Sequence, residues 1–216
     1  MVLCPKEVEN SLVLLGEQSG CIVSRETIQK LEFFVNHLLE WNSHTNLIGS
    51  KEAQNIWVRH VLDSAQLLPI LSQKLNLKSS FIDFGCGAGF PGFVLSILGI
   101  EHMTLMDSKL KKCEFLKSVS RETKSSVEVI WGRIETLKDR KFDGVLARAV
   151  SDISTLLSLS SSVRTPEAYC IFLKGQKAKE EIKDAQKHWA FDYEFVPSLT
   201  QKEASVCILK NIRYKK

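Results

Sequence analysis

The stretch FIDFGCGAGFPG, residues 81–92, constrains this chain more than any other. An apolar run reaches a carboxylate at Asp83 and passes into Gly85, Gly87, Gly89 and Gly92, followed by the apolar segment FVLSIL. Glycines at this spacing let the backbone turn tightly and approach a ligand, and open α/β sheets bind ligands at the carboxyl ends of their strands. A first β-strand, a ligand-facing loop and a helix are therefore predicted. Gly87, Gly89 and Gly92 also satisfy G-x-G-x-x-G, which keeps a nicotinamide- or flavin-binding Rossmann domain open as an alternative.

Beyond Ser80, short apolar runs alternate with helical segments, the signature of βαβ units and a largely parallel sheet. Strands are predicted at about 80–84, 102–107, 127–131, 142–147 and 168–173, then near 191–196 and 205–212. The last two are separated by a short polar segment with no helix, which predicts a hairpin and one antiparallel strand in an α/β sheet of seven. Earlier in the chain the pattern is helical. SRETIQKLEFFVNHLLEW begins with Ser24 as an N-cap and repeats Ile28, Leu31, Phe34, Val35, Leu38 and Leu39 at three- and four-residue steps. After the polar NSHTN, one further helix is predicted over about Lys51 to Leu71. The expected organisation is a helical extension over 1–78 and a Rossmann-like domain over 79–216.

Composition supports a folded chain: 44% of the 216 residues are hydrophobic and 25% charged, outside the range of disordered polymers. The net charge of +4 is unevenly spread, with 7 Lys/Arg against 8 Asp/Glu in residues 1–80 and 22 against 17 in the remainder. The second part is the one suited to an anion, which permits a nucleic-acid partner without requiring it. Cys4, Cys21, Cys86, Cys113, Cys170 and Cys207 never come closer than 17 positions, so zinc-ligand spacing is absent and free thiols are expected. No secretion signal is seen, and the longest uncharged run, Phe84 to Ile100, carries five glycines and a proline, which suits a loop and buried helix. A cytoplasmic protein without membrane or metal is expected. No coiled-coil heptads call for a dimer, so a monomer is expected.

Two features separate the cofactor alternatives. Asp83 is placed at the end of the strand before the glycines, where it repels a pyrophosphate and welcomes a cation. S-adenosylmethionine carries an ammonium and a sulfonium and no phosphate. The closing hairpin likewise departs from the all-parallel dinucleotide sheet and agrees with the seven-stranded methyltransferase sheet. Asp107, at the end of the second strand, is placed to hold ribose hydroxyls, with capping of the following helix as the other reading. Ile134 and Glu135, in the turn GRIE after the third strand, are placed to flank an adenine, although a solvated Glu beginning a helix fits as well.

The place after the fourth strand reads LARAVSD rather than the Pro-Pro-aromatic tetrapeptide of amine methylation, and Pro-Cys and Thr-Cys, which would suit carbon-five attack on cytosine, are absent. Guanine N7 has an in-plane lone pair, so its methylation needs orientation more than a base. Arg148 and Lys174, at the ends of the fourth and fifth strands, are candidates to position such a substrate, or else solubilise loops. In VRHVLDS, His60 and Ser64 share one helical face and Arg59 and Asp63 another, which predicts an internal ion pair; alternatively the helix lends His60 and Asp63 to the cofactor site.

The blocks NLIGSKEAQNIWVRHVLDS, FIDFGCGAGFPGFVLSI, TLMDSKLKKCEFLKSV, GRIE, FDGVLARAV and FLKG, in this order, resemble the bacterial small-subunit ribosomal RNA methyltransferase G family, also known as glucose-inhibited division protein B. The resemblance covers roughly residues 36–182. It implies a class I methyltransferase that uses S-adenosylmethionine to methylate N7 of guanine at nucleotide 527, in the 530 loop of 16S rRNA. It also implies that Gly85, Phe90, Ile134, Glu135 and Arg148 occupy the family's cofactor-binding positions. A nicotinamide-dependent oxidoreductase and a non-catalytic RNA-binding module with this fold are the competing readings.

Overall fold

The computed structural model describes residues 1–215. Helix α1 (Lys6–Ser19) stops at Gly20, whose φ of 71° is left-handed. Helix α2 (Arg25–Thr45) starts at Ser24 as the sequence predicts: the Ser24 hydroxyl accepts the Thr27 N–H at 3.2 Å, and Thr27 returns the bond to the Ser24 N–H. The single helix expected over 51–71 is instead broken into α3 (Ser50–Ala53), a π-helical turn (Trp57–Leu62), α4 (Asp63–Ala65) and α5 (Leu67–Lys74).

Strands β1 (Ser80–Phe84), β2 (His102–Asp107), β3 (Val127–Trp131), β4 (Phe142–Arg148), β5 (Arg164–Lys174), β6 (Trp189–Pro197) and β7 (Ser205–Tyr214) form one sheet in the order β3-β2-β1-β4-β5-β7-β6. Pairings from β3 across to β5 are parallel, and β7 runs antiparallel to both β5 and β6, so β7 alone is reversed. The order changes direction between β1 and β4, and a crevice opens at that switch point. Helices α6 (Gly92–Ile97), α7 (Leu110–Thr123), α8 (Ile153–Leu159) and α9 (Ala178–Ala185) cover the two faces.

Side chains on a strand alternate between faces, and along β5 Ile171 and Leu173 enter one core while Cys170 and Phe172 enter the other. The first core also contains Leu12, Phe34, Leu38 and Leu71 together with Phe93, Phe115 and Leu116, so the N-terminal helices share their interior with the sheet. Phe34 is fully buried against Phe93, with ring centroids 4.9 Å apart, and Phe90, at 5.2 Å. Packing of α2 therefore fixes the far side of the glycine loop. No helix among the described residues is long and apolar enough to cross a membrane.

Candidate functional site

The β1–α6 loop is built around close backbone approaches. Gly85 has φ of +67°, and a Cβ there would lie 2.6 Å from the Val150 side chain. Gly92 packs so tightly on β1 and β2 that a Cβ would meet Leu105 at 2.5 Å and Asp83 Oδ2 at 2.9 Å. That closeness lets the Gly92 N–H donate to Asp83 Oδ2 at 2.7 Å. Asp83 thus lies beneath the loop, fully buried, rather than at its mouth; Oδ1 has no partner among the described residues. Burial pushes its carboxyl up to about 7, with the Gly92 bond and the nearby Arg148 pulling the other way. Burial also raises the Cys86 thiol well above its ordinary range, which leaves it protonated.

Asp107 ends β2 and anchors the same loop: Oδ2 accepts the Gly87 N–H at 2.9 Å, and Oδ1 accepts the Lys109 N–H at 2.8 Å. Lys112, one turn into α7, stands 3.7 Å from Oδ2 and lines the cavity. Asp107 does not cap α7, whose N-cap is Lys109.

Above the loop lies a cavity of about 980 Å³, bordered by Gly85, Gly87, Phe90, His60, Asp63 and Arg148. The π-helical turn explains how three of these meet. In an α-helix the Arg59 carbonyl would accept the Asp63 N–H. Here that N–H goes to the Val58 and His60 carbonyls, and the freed Arg59 carbonyl accepts Arg148 Nη1 at 3.1 Å. The same nitrogen faces Asp63 Oδ2 at 3.4 Å. Asp63 accordingly pairs with Arg148, 85 positions away, and not with Arg59 as helical spacing predicts.

Arg148 also donates from Nη2 to His60 Nδ1, and its guanidinium lies 5.3 Å from the centroid of the Phe90 ring. His60 stacks on that ring at 4.7 Å with an interplanar angle of 20°. A guanidinium has only donors, so Nδ1 accepts and the proton of the neutral imidazole sits on Nε2. Burial, with the charges of Arg148 and Arg59, holds the His60 pKa down to about 3. Nε2 has no hydrogen-bond partner among the described residues and stands 3.9 Å from Glu52 Oε2. Burial lowers the Arg148 pKa, and Asp63 opposes this.

The remaining sequence candidates fall elsewhere. Lys174 lines the cavity, but its ammonium is taken up by Glu181 at 2.6 Å and the Ser151 carbonyl at 2.7 Å. Gly89 has φ of +99° and supports the loop from outside the cavity lining. Ile134 is buried in the second core and Glu135 is exposed; both lie outside that lining, on a turn joined to β2 by the Gly132 N–H and the Asp107 carbonyl. Sequence reasoning did not single out Glu52, which borders the cavity, or Gln66 and Thr200, which donate to Asp63 from outside its lining. Glu52 and Gln66 sit beside the VRHVLDS block, but Thr200 has no sequence signal.

The family model for rRNA small subunit methyltransferase G matches residues 27–207 of this chain. The chain belongs to that family. Similar proteins include Ribosomal RNA small subunit methyltransferase G of Paramagnetospirillum magneticum, 37% identical over 190 residues that cover 88% of this chain and 91% of the relative. The protein of the same description from Rickettsia prowazekii is 36% identical over 190 residues, 88% of this chain and 97% of the relative. Among solved structures, an MtNAS mutant in complex with S-adenosylmethionine superposes with a TM-score of 0.58 at 15% identity, over 83% of this chain and 75% of that one. A ribosomal protein methylase from Lactobacillus delbrueckii subsp. bulgaricus gives 0.56 at 13% identity, over 76% and 80%. At such identities these likenesses establish the Rossmann-like fold alone.

This methyltransferase takes S-adenosylmethionine as cofactor, and the site suits it. Asp107 and Asp63 place carboxylates beside the loop for a sulfonium and an ammonium, Arg148 and Lys112 offer cations to a carboxylate, and Asp83, buried beneath the loop, holds its backbone through Gly92.

Proposed function

We propose that this enzyme methylates N7 of guanine at nucleotide 527 in the 530 loop of bacterial 16S rRNA, acting as a cytoplasmic monomer. The family match over residues 27–207 carries the proposal, and the chemistry of the cavity agrees with it. S-adenosylmethionine supplies an electrophilic methyl group. Gly85, Gly87, Phe90 and Arg148, which border the cavity, are the residues assigned to hold that cofactor, with Asp107, Ile134 and Glu135 assigned to its rim and Asp83 and Gly89 to the loop that carries it. Phe90 gives an apolar wall, Asp107 orients the loop amide of Gly87, and Arg148 provides the cation nearest the Phe90 face.

Guanine N7 attacks through its own lone pair, so the enzyme has to align two reactants and exclude water rather than remove a proton. The site meets that demand: His60 is neutral, but its Nδ1 is already occupied by Arg148, and Asp63 is engaged by three donors, leaving neither free as a base. Arg59 and Lys177 border the cavity as cations able to meet RNA phosphates.

The test is incubation with isotopically labelled S-adenosylmethionine and small subunits from cells lacking this gene, followed by mapping of the label. Label on N7 of that single guanine is the expected outcome. Cofactor binding without transfer to RNA would favour the binding-module reading, and label on another base or atom would overturn the assigned position.

A further inference from the structure

The loop that joins β6 to β7 is tied into the wall of the cavity by two polar contacts that cross more than 130 positions of sequence. Thr200 Oγ1 donates to Asp63 Oδ1 at 2.6 Å, and the Leu199 N–H donates to Gln66 Oε1 at 2.8 Å. Gln66 in turn donates from Nε2 to Asp63 Oδ1 at 2.8 Å. One oxygen of the buried Asp63 carboxylate is thereby saturated by two neutral donors, and the other is left facing Arg148. Ser198, Gln201, Ala204 and Ser205 of the same loop border the cavity.

A carboxylate held by one oxygen cannot rotate about its Cβ–Cγ bond without breaking those two bonds. Its second oxygen then presents a fixed partner to the guanidinium, which is also shared with the Arg59 carbonyl, His60 and the Phe90 face. We propose that Thr200 is a positioning residue for cofactor binding: its hydroxyl fixes Asp63, Asp63 fixes Arg148, and cofactor affinity depends on this chain of contacts. This rests on the assignment of Arg148 to the cofactor. Thr200 also makes two contacts within its own loop: its N–H donates to Ser198 Oγ at 3.2 Å, a backbone bond retained when the side chain is changed, and its Oγ1 lies 3.2 Å from Ser198 Oγ, a contact that Thr200→Ser keeps and Thr200→Val loses.

The full-length chain with Thr200→Val, Thr200→Ser, Asp63→Asn and the Asp63→Asn/Thr200→Val pair is titrated calorimetrically with S-adenosylhomocysteine and assayed on small subunits. Thr200→Val is expected to weaken binding roughly five- to twenty-fold, with kcat at saturating cofactor within about twofold of the parent. Thr200→Ser should restore affinity to within about twofold, and Thr200→Val should add less than about twofold in the Asp63→Asn background. Unchanged affinity in Thr200→Val, equal loss in Thr200→Ser, or losses that multiply in the pair would each overturn the proposal. Arg148→Met is the control: if it binds the cofactor as the parent does, the assignment of Arg148 fails first and the proposal falls with it. Should Thr200→Val not fold, Gln66→Met removes the other donor to Oδ1 and is judged by the same criteria.

Discussion

At the scale of single residues, two buried groups set opposing pH dependences. His60 has a folded pKa of about 3 against an ordinary 6.5, so the unfolded chain takes up a proton there, and the stability present above pH 6.5 is lost as pH falls toward 3. Asp83 has a folded pKa of about 7 against 3.8, so its contribution is full below pH 3.8 and is lost as pH rises through 7. Between about pH 4 and 6.5 one proton taken up on unfolding offsets one released, and these two groups together leave stability flat. Asp83→Asn removes one side of that balance. Denaturant unfolding at pH 4.5 and 6.5 should show the variant gaining stability relative to the parent as pH rises, by up to about 1.4 kcal/mol per pH unit. A difference that does not change with pH would mean that Asp83 is ionised throughout.

Among the elements, α2 does more than cover the sheet. Its Phe34 is packed against Phe90, Phe93 and Phe115, with centroids 4.9 to 6.1 Å apart. Phe34→Ala should cost ~3–5 kcal/mol in urea denaturation, because three rings cannot all collapse into the space vacated. It should also weaken cofactor binding, since Phe90 forms the wall on which His60 and Arg148 stack. Normal affinity in a destabilised variant would show that α2 supports the core without shaping the loop. The π-helical turn is the other element with a local consequence: one altered turn frees a single carbonyl, and Arg148 occupies it. Apolar spacing gives no hint of that turn, because Trp57, Val58, Val61 and Leu62 fit a helix of either period closely enough over so few residues.

For the molecule as a whole, the excess charge of +4 and the cations at the cavity rim suit a polyanionic substrate. The KM for RNA should rise roughly 20- to 50-fold between about 50 and 200 mM salt, the response of three or four contacted phosphates on unpaired strands. The KM for S-adenosylmethionine should stay within about twofold. Parallel changes in both would place the salt effect on the protein itself. Local signals were enough for the succession of elements along the chain: glycines at fixed spacing, apolar runs alternating with amphipathic helices and a final pair without a helix, and β1 to β7 formed where they indicated. The family was legible for the same reason, because Gly85, RHVLDS and GRIE are contiguous blocks. Tertiary structure alone decided who meets whom. Asp63 turned from Arg59 to Arg148, Lys174 was neutralised by Glu181, Asp83 sank beneath the loop, and Thr200 reached Asp63 across 137 positions. Those outcomes depend on which ends of distant elements the sheet brings together and on how burial makes every polar atom seek a partner, and neither is a property of a short stretch of sequence.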